Sequence, residues 1–384
     1  MTPSAPLAVP DRAILLTGAT GFVGMEVLAR YLERSERHVV ALVRAGDDAQ
    51  AAARVHQTFA AAGGDPAALE GRVTALAGDL TAPRLGLGAR WEPLARRIGA
   101  IVHGAASVAF DLSVQEARTI NVEGTRRMLE LALACSRLER FTYVSTAYVA
   151  GERRGTVYED DPGGGRFRNS YERTKHEAER LVAAHGDAMP VTILRPSVIV
   201  GDRRTGRTAT FNVLYAPLRA FAAGAYPVVP GRRRSPVDVV SVDYVADAVH
   251  ALAEAPEAAG QTLHVVAGAH ASTVGEIVEL ASRRLKSRPR LVPPVLYRTV
   301  IGPLIARRAP RRARRLLASS EQYFPYFAMR LRFDDARARA ILEPRGIAPA
   351  PLPAYFDRLL DFAIAARWGR RPEPRPEARQ LTAI

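Results

Sequence analysis

The stretch that most constrains the fold is TGATGFVG (17–24), because it joins two different local patterns. It ends the short apolar run AILLTG (13–18) and begins a helix-like stretch that continues to Arg34, after which a second apolar run, HVVALVR (38–44), follows. This order predicts strand, turn, helix and strand. A glycine turn in such a unit lets the backbone approach a pyrophosphate at the helix N-terminus. Its spacing is GxxGxxG rather than GxGxxG, and the triplet alone would also suit a plain strand-to-helix turn.

Further short apolar runs alternate with helical stretches along the chain. Alternation of this length predicts an α/β fold, a Rossmann-type doubly wound parallel sheet with helices on both faces. Past Pro196 the alternation loosens, which predicts a smaller C-terminal substrate-side region. The strand runs are VTALA (73–77), AIVH (100–103), FTYVS (141–145), VTIL (191–194) and one near 262–266, and the helices include 114–135, 171–185, 243–255 and 273–285.

The glycine turn and the ends of the next two strands supply candidate cofactor-binding residues. An acidic residue after the second strand would favour NAD, but Arg44 stands there and would meet a 2′-phosphate, which favours NADPH. Asp79 and Leu80 close the third strand and are candidates to bracket the adenine, although a turn aspartate fits the spacing equally well. The candidates from the turn are Gly18, Thr20, Gly21, Phe22, Val23 and Gly24.

SYERTK (170–175) holds one of only two lysines in a chain with 54 Lys and Arg residues. Tyr171 and Lys175 stand four apart at the start of a helical stretch, so both lie on one face. A tyrosine has a pKa of about 10, and a nearby ammonium would lower it toward neutral pH. A compact lysine can also hold a cofactor ribose in a way that an arginine fork cannot. The alternative is a surface Tyr and Lys on a solvated helix.

A third catalytic group should come from the end of the preceding strand, as a hydroxyl that hydrogen-bonds a reacting carbonyl oxygen. YVSTAYV (143–149) offers both Ser145 and Thr146. His103, at another strand end, is interpreted as a hydrogen-bonded structural histidine, and no His/Cys/Asp cluster predicts a metal site.

Composition and charge limit the cellular location and the classes of partner that the chain is expected to have. The single cysteine, Cys135, predicts no internal disulfide, and no signal peptide or membrane span is recognised, so we expect a cytoplasmic location. The net charge of +15 comes largely from late arginines, including 306–317. The segments are a flexible N-terminus (1–12), an NAD(P)-binding Rossmann domain (13–200), a substrate-side region interleaved with the last strands and helices of the fold (201–368) and a disordered basic tail (369–384).

Taken together, these motifs resemble the extended short-chain dehydrogenase/reductases, and most of all the branch of fatty acyl-CoA reductases (the male-sterility type) and thioester reductase domains. The resemblance implies a catalytic set of Thr146, Tyr171 and Lys175, with Asn121 supporting Lys175 through a water. It also implies that Ala105 and Ala106 line the cofactor cleft and that Pro196 and Ser197 approach the nicotinamide. The motifs are TGATGFVG, HGAASVAFD (103–111), INVEGTRRMLELA (120–132), YVSTAYV, YERTKHEAERLV (171–182) and LRPSVIVGDRRTG (194–206), and PYFAMRLRFDDARARAIL (325–342) is weaker.

The resemblance implies NADPH-dependent reduction of an acyl thioester, either acyl-CoA or acyl-carrier-protein, to an aldehyde, and it leaves open whether a second reduction gives the alcohol. One alternative is a sugar-nucleotide or sterol-type dehydrogenase or epimerase, since the same catalytic groups serve these reactions. Another is a non-catalytic NADP sensor or nucleic-acid-binding protein, although no aromatic-interleaved basic motif supports nucleic acid.

Two apolar stretches late in the chain have open interpretations. LVPPVLYRTVIGPLIARR (291–308) is broken by prolines and predicts a substrate-covering lid or an interfacial segment, with peripheral membrane contact through the basic C-terminal region. YFDRLLDFAIAARW (355–368) has apolar residues at helical spacing, which favours core packing over a membrane-surface role.

Overall fold

The computed structural model describes residues 9–211, 213–223, 228–285, 289–308 and 321–370. Within these residues the strands are β1 (Ala13–Thr17), β2 (Val39–Val43), β3 (Val73–Ala77), β4 (Ile98–His103), β5 (Arg140–Val144), β6 (Arg154–Val157), β7 (Val191–Pro196), β8 (Val198–Val200), β9 (Val228–Pro230), β10 (Pro236–Val237), β11 (Val239–Ser241), β12 (Thr262–Val265), β13 (Ser272–Thr273), β14 (Arg290–Val292) and β15 (Arg330–Phe333).

Seven of these strands form one parallel sheet in the order β12-β7-β5-β4-β1-β2-β3. They are the seven strands predicted from the apolar runs, and the Rossmann-type fold class is confirmed. The chain runs outward from β1 in one direction through β2 and β3 and in the other through β4, so the order reverses between β1 and β4. Ligands of open α/β sheets bind at such a switch point, outside the carboxyl ends of the strands.

Helices cover both faces of the sheet. One buried apolar cluster joins its strands to α1, α2, α8 and α13, and another joins them to α3, α5 and α6 on the opposite face. The α-helices of the described ranges are α1 (Phe22–Arg34), α2 (Asp48–Ala61), α3 (Trp91–Ala95), α4 (Val114–Arg118), α5 (Gly124–Ala134), α6 (Ser170–Ala183), α7 (Tyr215–Ala222), α8 (Val242–Glu254), α9 (Val274–Leu285), α10 (Pro294–Leu296), α11 (Gly302–Arg308), α12 (Phe324–Phe327), α13 (Ala336–Leu342) and α14 (Phe356–Ala365).

The C-terminal region forms a third apolar cluster from α7, α9, α12 and α14 beside the carboxyl edge of the sheet. Buried Glu159 ties it to the sheet, because its carboxylate accepts hydrogen bonds from the backbone N–H groups of His264 in β12 (2.9 Å), Arg337 (2.6 Å) and Ala338 (3.0 Å). Strand β15 pairs with β6 in parallel. These contacts join the C-terminal region to the sheet, and its assignment as the substrate side stays a prediction.

Helix α14 buries Phe356, Leu359, Leu360 and Ala363, which confirms core packing for this stretch. The N-terminal prediction needs a correction: Val9 is 4% exposed and packs in the cluster with α5 and α6, so the packed chain begins before β1. Residues 1–8, most of the arginine run (309–320) and the tail from 371 lie outside the described residues. In the ranges that are described, no helix has both the length and the apolar character needed to cross a bilayer.

Candidate active site

The glycine turn lies at the carboxyl end of β1 and packs against the loop that follows β4. Gly18 has a φ of +81°, and a Cβ at this position would lie 2.9 Å from the backbone nitrogen of Ala105. A Cβ on Gly24 would lie 2.0 Å from the carbonyl oxygen of Gly18. Both positions therefore require glycine, the first for its backbone conformation and the second for the close approach of helix to turn.

The start of α1 is free to meet a negative charge. Its N-cap residue, Gly21, makes no side-chain capping bond, and its first turn contains no acidic residue. The N-terminal N–H groups and the helix dipole are thus left for an anionic group. Together with the space kept clear at Gly18 and Gly24, this arrangement fits the pyrophosphate of a dinucleotide cofactor.

Asn121 fastens the loop after β4 beside this turn. It lies in a π-helical segment, Thr119–Glu123, which separates α4 from α5, and π-segments in helices often mark functional sites. Its amide accepts from the backbone N–H of Ser107 (2.8 Å) and donates to the Ser107 carbonyl (3.1 Å) and the Thr174 hydroxyl (3.0 Å). The side chain therefore holds the loop that contains Ala105 and Ala106 against α6, next to Lys175 rather than directly on it.

The candidates for the adenosine end follow β2 and β3. Arg44 is exposed immediately after β2, where its guanidinium is open to solvent. Asp79 accepts hydrogen bonds from the backbone and the hydroxyl of Thr81 (both 2.8 Å), so it shapes its own turn. Leu80 packs against Gly124, where a Cβ would lie 3.1 Å from its own.

Thr146 and Tyr171 face each other across the end of β5 and the start of α6. Burial raises the pKa of Tyr171 to about 12, and hydrogen bonding by the side chain of Thr146 opposes this effect. Thr146 Oγ1 also lies 3.4 Å from the carbonyl oxygen of Pro196 at the end of β7. Two hydroxyl groups thus converge near the strand end that precedes Ser197.

Ser145, the alternative hydroxyl, has a different partner on α6. It is 3% exposed, and its Oγ donates to the carboxylate of Glu179 at 2.5 Å. Arg195 pairs with the same carboxylate at 2.5 Å. The geometry therefore separates the two candidates, with Thr146 beside Tyr171 and Ser145 in a buried ionic cluster further along α6.

Lys175 is 2% exposed, and its Nζ donates to the carbonyl of Val144 at 2.7 Å and lies 4.1 Å from the centre of the Tyr143 ring. Burial lowers the pKa of Lys175 to about 7, and Glu179 acts in the opposite direction. The surface alternative for this pair is wrong. The expectation that Lys175 lowers the pKa of Tyr171 also needs correction, because burial dominates at Tyr171 and the ammonium is directed to β5.

His103 is the structural histidine that the sequence predicts. Its ring nitrogens lie 2.7 Å from the hydroxyl of Thr17 and 3.1 Å from that of Thr125, and burial lowers its pKa to about 3. Through Thr17, which accepts from the backbone N–H of Ala105 (3.2 Å), it braces the loop under the glycine turn.

An aromatic wall that was not assigned from the sequence covers Tyr171. Phe110, in the loop after β4, stacks on Tyr171 with ring centroids 5.8 Å apart and on Tyr326 of α12 at 5.7 Å. Tyr326 donates to buried Glu172 (2.7 Å), the residue that follows Tyr171. The motif HGAASVAFD contains Phe110, but nothing in its spacing predicts that a C-terminal aromatic would complete the wall.

Comparison with known proteins agrees with this geometry. The sequence profile of the NAD-binding family described as male sterility protein matches residues 16–249. The isonitrile lipopeptide synthase of Streptomyces coeruleorubidus is 39% identical over 227 residues, which cover 57% of this chain and 15% of that protein. The L-2-aminoadipate reductase large subunit of Penicillium chrysogenum is 33% identical over 279 residues, covering 67% of this chain and 19% of that protein.

Among solved structures, the terminal R domain from the myxalamid PKS-NRPS biosynthetic pathway superposes with a TM-score of 0.83 and 27% identity, covering 96% of this chain and 94% of that one. The chain therefore spans less than a fifth of the two curated relatives and nearly all of this domain.

Proposed function

The chain belongs to the male sterility protein family, a branch of the extended short-chain dehydrogenase/reductases, and on that premise we propose that it reduces an acyl thioester to an aldehyde with NADPH. The observation that carries the proposal is the convergence of Thr146, Tyr171 and Lys175 beside the glycine turn. The named relatives, a reductase subunit and an R domain of an assembly pathway, support the reaction class.

In this proposal Thr146 and Tyr171 bind the carbonyl oxygen of the thioester. When bound, the reduced nicotinamide supplies hydride to the carbonyl carbon. The two hydroxyls donate hydrogen bonds to the oxygen as it gains negative charge, which is the stabilisation that oxyanion donors provide. With a pKa of about 12, Tyr171 keeps its proton at neutral pH and can give it to that oxygen. Cleavage of the carbon–sulfur bond of this hemithioacetal then releases the aldehyde and the thiol, as the proton on the oxygen passes to the departing sulfur, and Tyr171 regains a proton from water.

Lys175 has two tasks in this scheme. Its ammonium fixes the end of β5 through Val144, which sets the position of Thr146. Its three N–H donors would also hold the ribose of the cofactor. Reduction of the aldehyde to an alcohol would use the same two hydroxyls in a second cycle.

The choice of NADPH follows from Arg44, the exposed residue at the end of β2. In this proposal its guanidinium binds the 2′-phosphate, since this strand end approaches the adenosine ribose in dinucleotide-binding sheets. Comparing kcat/KM for NADPH and NADH in wild type and Arg44→Ala tests this point. We expect the wild type to prefer NADPH and the variant to lose most of the preference.

The proposed substrate is an acyl group carried as a thioester, on a carrier protein or on coenzyme A. The aromatic wall of Phe110 and Tyr326 is extended by Tyr323, whose ring also contacts Phe110. The wall gives the carbonyl site an apolar side suited to an acyl chain. Carrier-bound thioesters are supported by the R domain that the chain resembles along nearly its whole length.

The proposal is tested by following NADPH oxidation at 340 nm with acyl-CoAs, acyl-carrier thioesters and the matching aldehydes. We expect thioester turnover in wild type and a loss of about 100-fold or more in Tyr171→Phe, because general acid catalysis contributes about 10²- to 10⁴-fold. Turnover of aldehydes alone would contradict thioester reduction. Turnover of sugar nucleotides or sterols instead would favour the dehydrogenase or epimerase alternative.

A separate proposal concerns peripheral membrane contact. Four exposed apolar residues lie on α10, the π-helical segment Tyr297–Ile301 and α11, although most of the adjoining arginine run lies outside the described residues: Val295, Leu296, Val300 and Leu304. Sedimentation with anionic liposomes tests the contact: wild type should sediment, and Val300→Glu should remain in the supernatant. Equal recovery of both proteins in the supernatant would rule it out.

A further inference from the structure

A buried carboxylate, Glu179, joins the strand ends on either side of the candidate site. It is 4% exposed on α6, and its Oε2 accepts from the hydroxyl of Ser145 at 2.5 Å. Its Oε1 accepts from Arg195 Nη2 at 2.5 Å and from Nε at 3.1 Å. Ser145 directly precedes Thr146, and Arg195 directly precedes Pro196. One side chain therefore holds the ends of β5 and β7 against α6.

The helix that carries Glu179 contacts four consecutive residues of the β5 end. Tyr171, Lys175 and Glu179 stand four residues apart, so they form one face of α6. The last two residues of β5 and the two residues that follow it contact this face in turn, the first by its ring, the second by its carbonyl and the last two by their hydroxyls. The contacts run from Lys175 to Tyr143 (4.1 Å to the ring centre) and Val144 (2.7 Å), from Glu179 to Ser145 (2.5 Å), and from Tyr171 to Thr146.

We propose that Glu179 is a positioning residue, which keeps Lys175 charged and sets the register of Thr146 against Tyr171. The roles assigned to Thr146, Tyr171 and Lys175 rest on the proposed function, whereas the effect of Glu179 on Lys175 is a property of the folded chain alone. Glu179 itself is a turn of helix beyond Lys175 and acts through Lys175 and Ser145.

The charges around Lys175 explain why a carboxylate is needed there. Burial lowers the pKa of Lys175 to about 7, and Glu179 opposes this effect. His103 from β4 is neutral because burial lowers its pKa to about 3, and burial holds the pKa of Tyr143 from β5 well above its usual value. Burial likewise raises the pKa of Tyr171 on α6.

Arg195 from β7 is the remaining charged group on this side, and it is cationic. Among the described groups that face Lys175 from these four elements, Glu179 is thus the one anion. Arg195 donates to the carboxylate of Glu179 through both Nε and Nη2. This two-point contact fixes the carboxylate between β5 and β7.

The small number of lysines allows a direct test. Lysine labelled with ¹³C at Cε gives two side-chain signals in the full chain, from Lys175 and Lys286, and Lys286→Arg assigns them. We would titrate the signals without nucleotide in wild type, Glu179→Gln and the control Asp247→Asn. Asp247 pairs with buried Arg30 at 2.6 Å between α1 and α8, so its loss removes a comparable ion pair elsewhere.

We expect the midpoint of Lys175 to fall by about one pH unit or more in Glu179→Gln, since removal of an opposite charge one helical turn away, in a buried setting, has effects of this size. It should stay unchanged in Asp247→Asn. An unchanged midpoint in Glu179→Gln would overturn the proposal and leave Glu179 a structural ion-pair partner. If Glu179→Gln does not fold, Glu179→Gln/Arg195→Gln carries the test, because it also removes the buried guanidinium that would otherwise lose its partner.

Activity separates this proposal from the proposed function. In Glu179→Gln, the alkaline limb of the pH profile for NADPH oxidation should move to lower pH by the same amount as the Lys175 midpoint. A midpoint that moves while the wild type turns over no thioester would overturn the proposed function alone. A midpoint that moves while the alkaline limb stays in place would overturn the catalytic part of this proposal.

Discussion

At the amino edge of the central sheet, arginines that precede the strands reach out to exposed carboxylates, whereas at the carboxyl edge one lysine lies under the site with no access to water. Arg12 pairs with Glu139 at 2.5 Å although its side chain is 67% exposed, and Arg72 pairs with Glu36, which is 98% exposed. Lys175 is 2% exposed. A positive charge is therefore solvated at the amino edge and buried at the carboxyl edge.

The difference teaches where arginine can replace lysine in a chain that contains so many arginines. A guanidinium on a long stem suits a solvated ion pair, in which several geometries are equivalent. A compact ammonium suits the space between the Tyr143 ring and the Val144 carbonyl, where a planar fork would have to displace one of them. Lysine is retained at the position where its shape matters.

The most severe test of this contrast is Lys175→Arg, which keeps the charge and changes the shape. We expect NADPH oxidation with a thioester substrate to fall about 100-fold or more, since misplacing a catalytic group by about 1 Å can cost this much. Lys286→Arg is the matched control and should retain activity. Full activity in Lys175→Arg would show that charge alone suffices at the carboxyl edge.

The next largest effect concerns stability and its pH dependence. Lys175 has a lowered pKa of about 7 in the folded chain, against 10.5 when unfolded. Below pH 7 the lysine is charged in both states, and its burial lowers the free energy of unfolding. Between pH 7 and 10.5 the unfolded chain binds more protons, so the free energy of unfolding rises with pH.

Comparison with Lys175→Met separates the contribution of Lys175 to this pH dependence from the contributions of other titrating groups. Urea unfolding should show the variant more stable than wild type at pH 6.5. The difference in the free energy of unfolding between variant and wild type should narrow by roughly 2 kcal/mol between pH 7 and 9. A gap that does not change with pH would mean that Lys175 keeps an ordinary pKa. In that case burial at the carboxyl edge would have no measurable effect on the charge of Lys175, and the contrast with the solvated arginines of the amino edge would be lost.

The fold and the first members of the site could be predicted from sequence because they depend on local patterns. Apolar runs of four to seven residues marked all seven strands of the sheet, and the glycine turn and the Tyr171/Lys175 spacing each lie within eight residues. The choice between Ser145 and Thr146 needed the structure, because both residues contact α6 and the sequence does not say which of them meets Tyr171 and which meets Glu179.

Other parts of the site depend on contacts between distant segments. Phe110 meets Tyr326 across more than 200 residues, and Glu179 meets Arg195 from the next strand. The Tyr171-x3-Lys175-x3-Glu179 spacing was a usable signal for Glu179, since it extends the same helix face by one turn. The effect of burial on the pKa of Tyr171 had no such signal, because the aromatic wall that covers it is completed from α12 by Tyr326.

A smaller effect is expected at the wall that separates the carboxyl edge from solvent. Phe110→Ala removes the ring between Tyr171 and Tyr326, and we expect kcat/KM for an acyl thioester to fall about tenfold, in line with the contribution of aromatic pairs. Phe362→Ala, which removes a ring stacked on Phe211 by α14, is the control and should change stability more than kcat/KM. Equal effects on kcat/KM would mean that Phe110 has no special place near the substrate.

The smallest effect is expected at the amino edge, where Arg12 and Glu139 form an ion pair that water already reaches. Arg12→Ala should change the free energy of unfolding by about 0.5 kcal/mol or less and leave kcat/KM unchanged, because exposed ion pairs contribute little. A double-mutant cycle with Glu139→Ala, followed by urea unfolding at low and high salt, measures the coupling between the two side chains. Screening should reduce that coupling further as salt rises. A coupling above about 1 kcal/mol that persists at high salt would mean that the arginines of the amino edge also hold the fold together, and the contrast with Lys175 would then be one of shape alone.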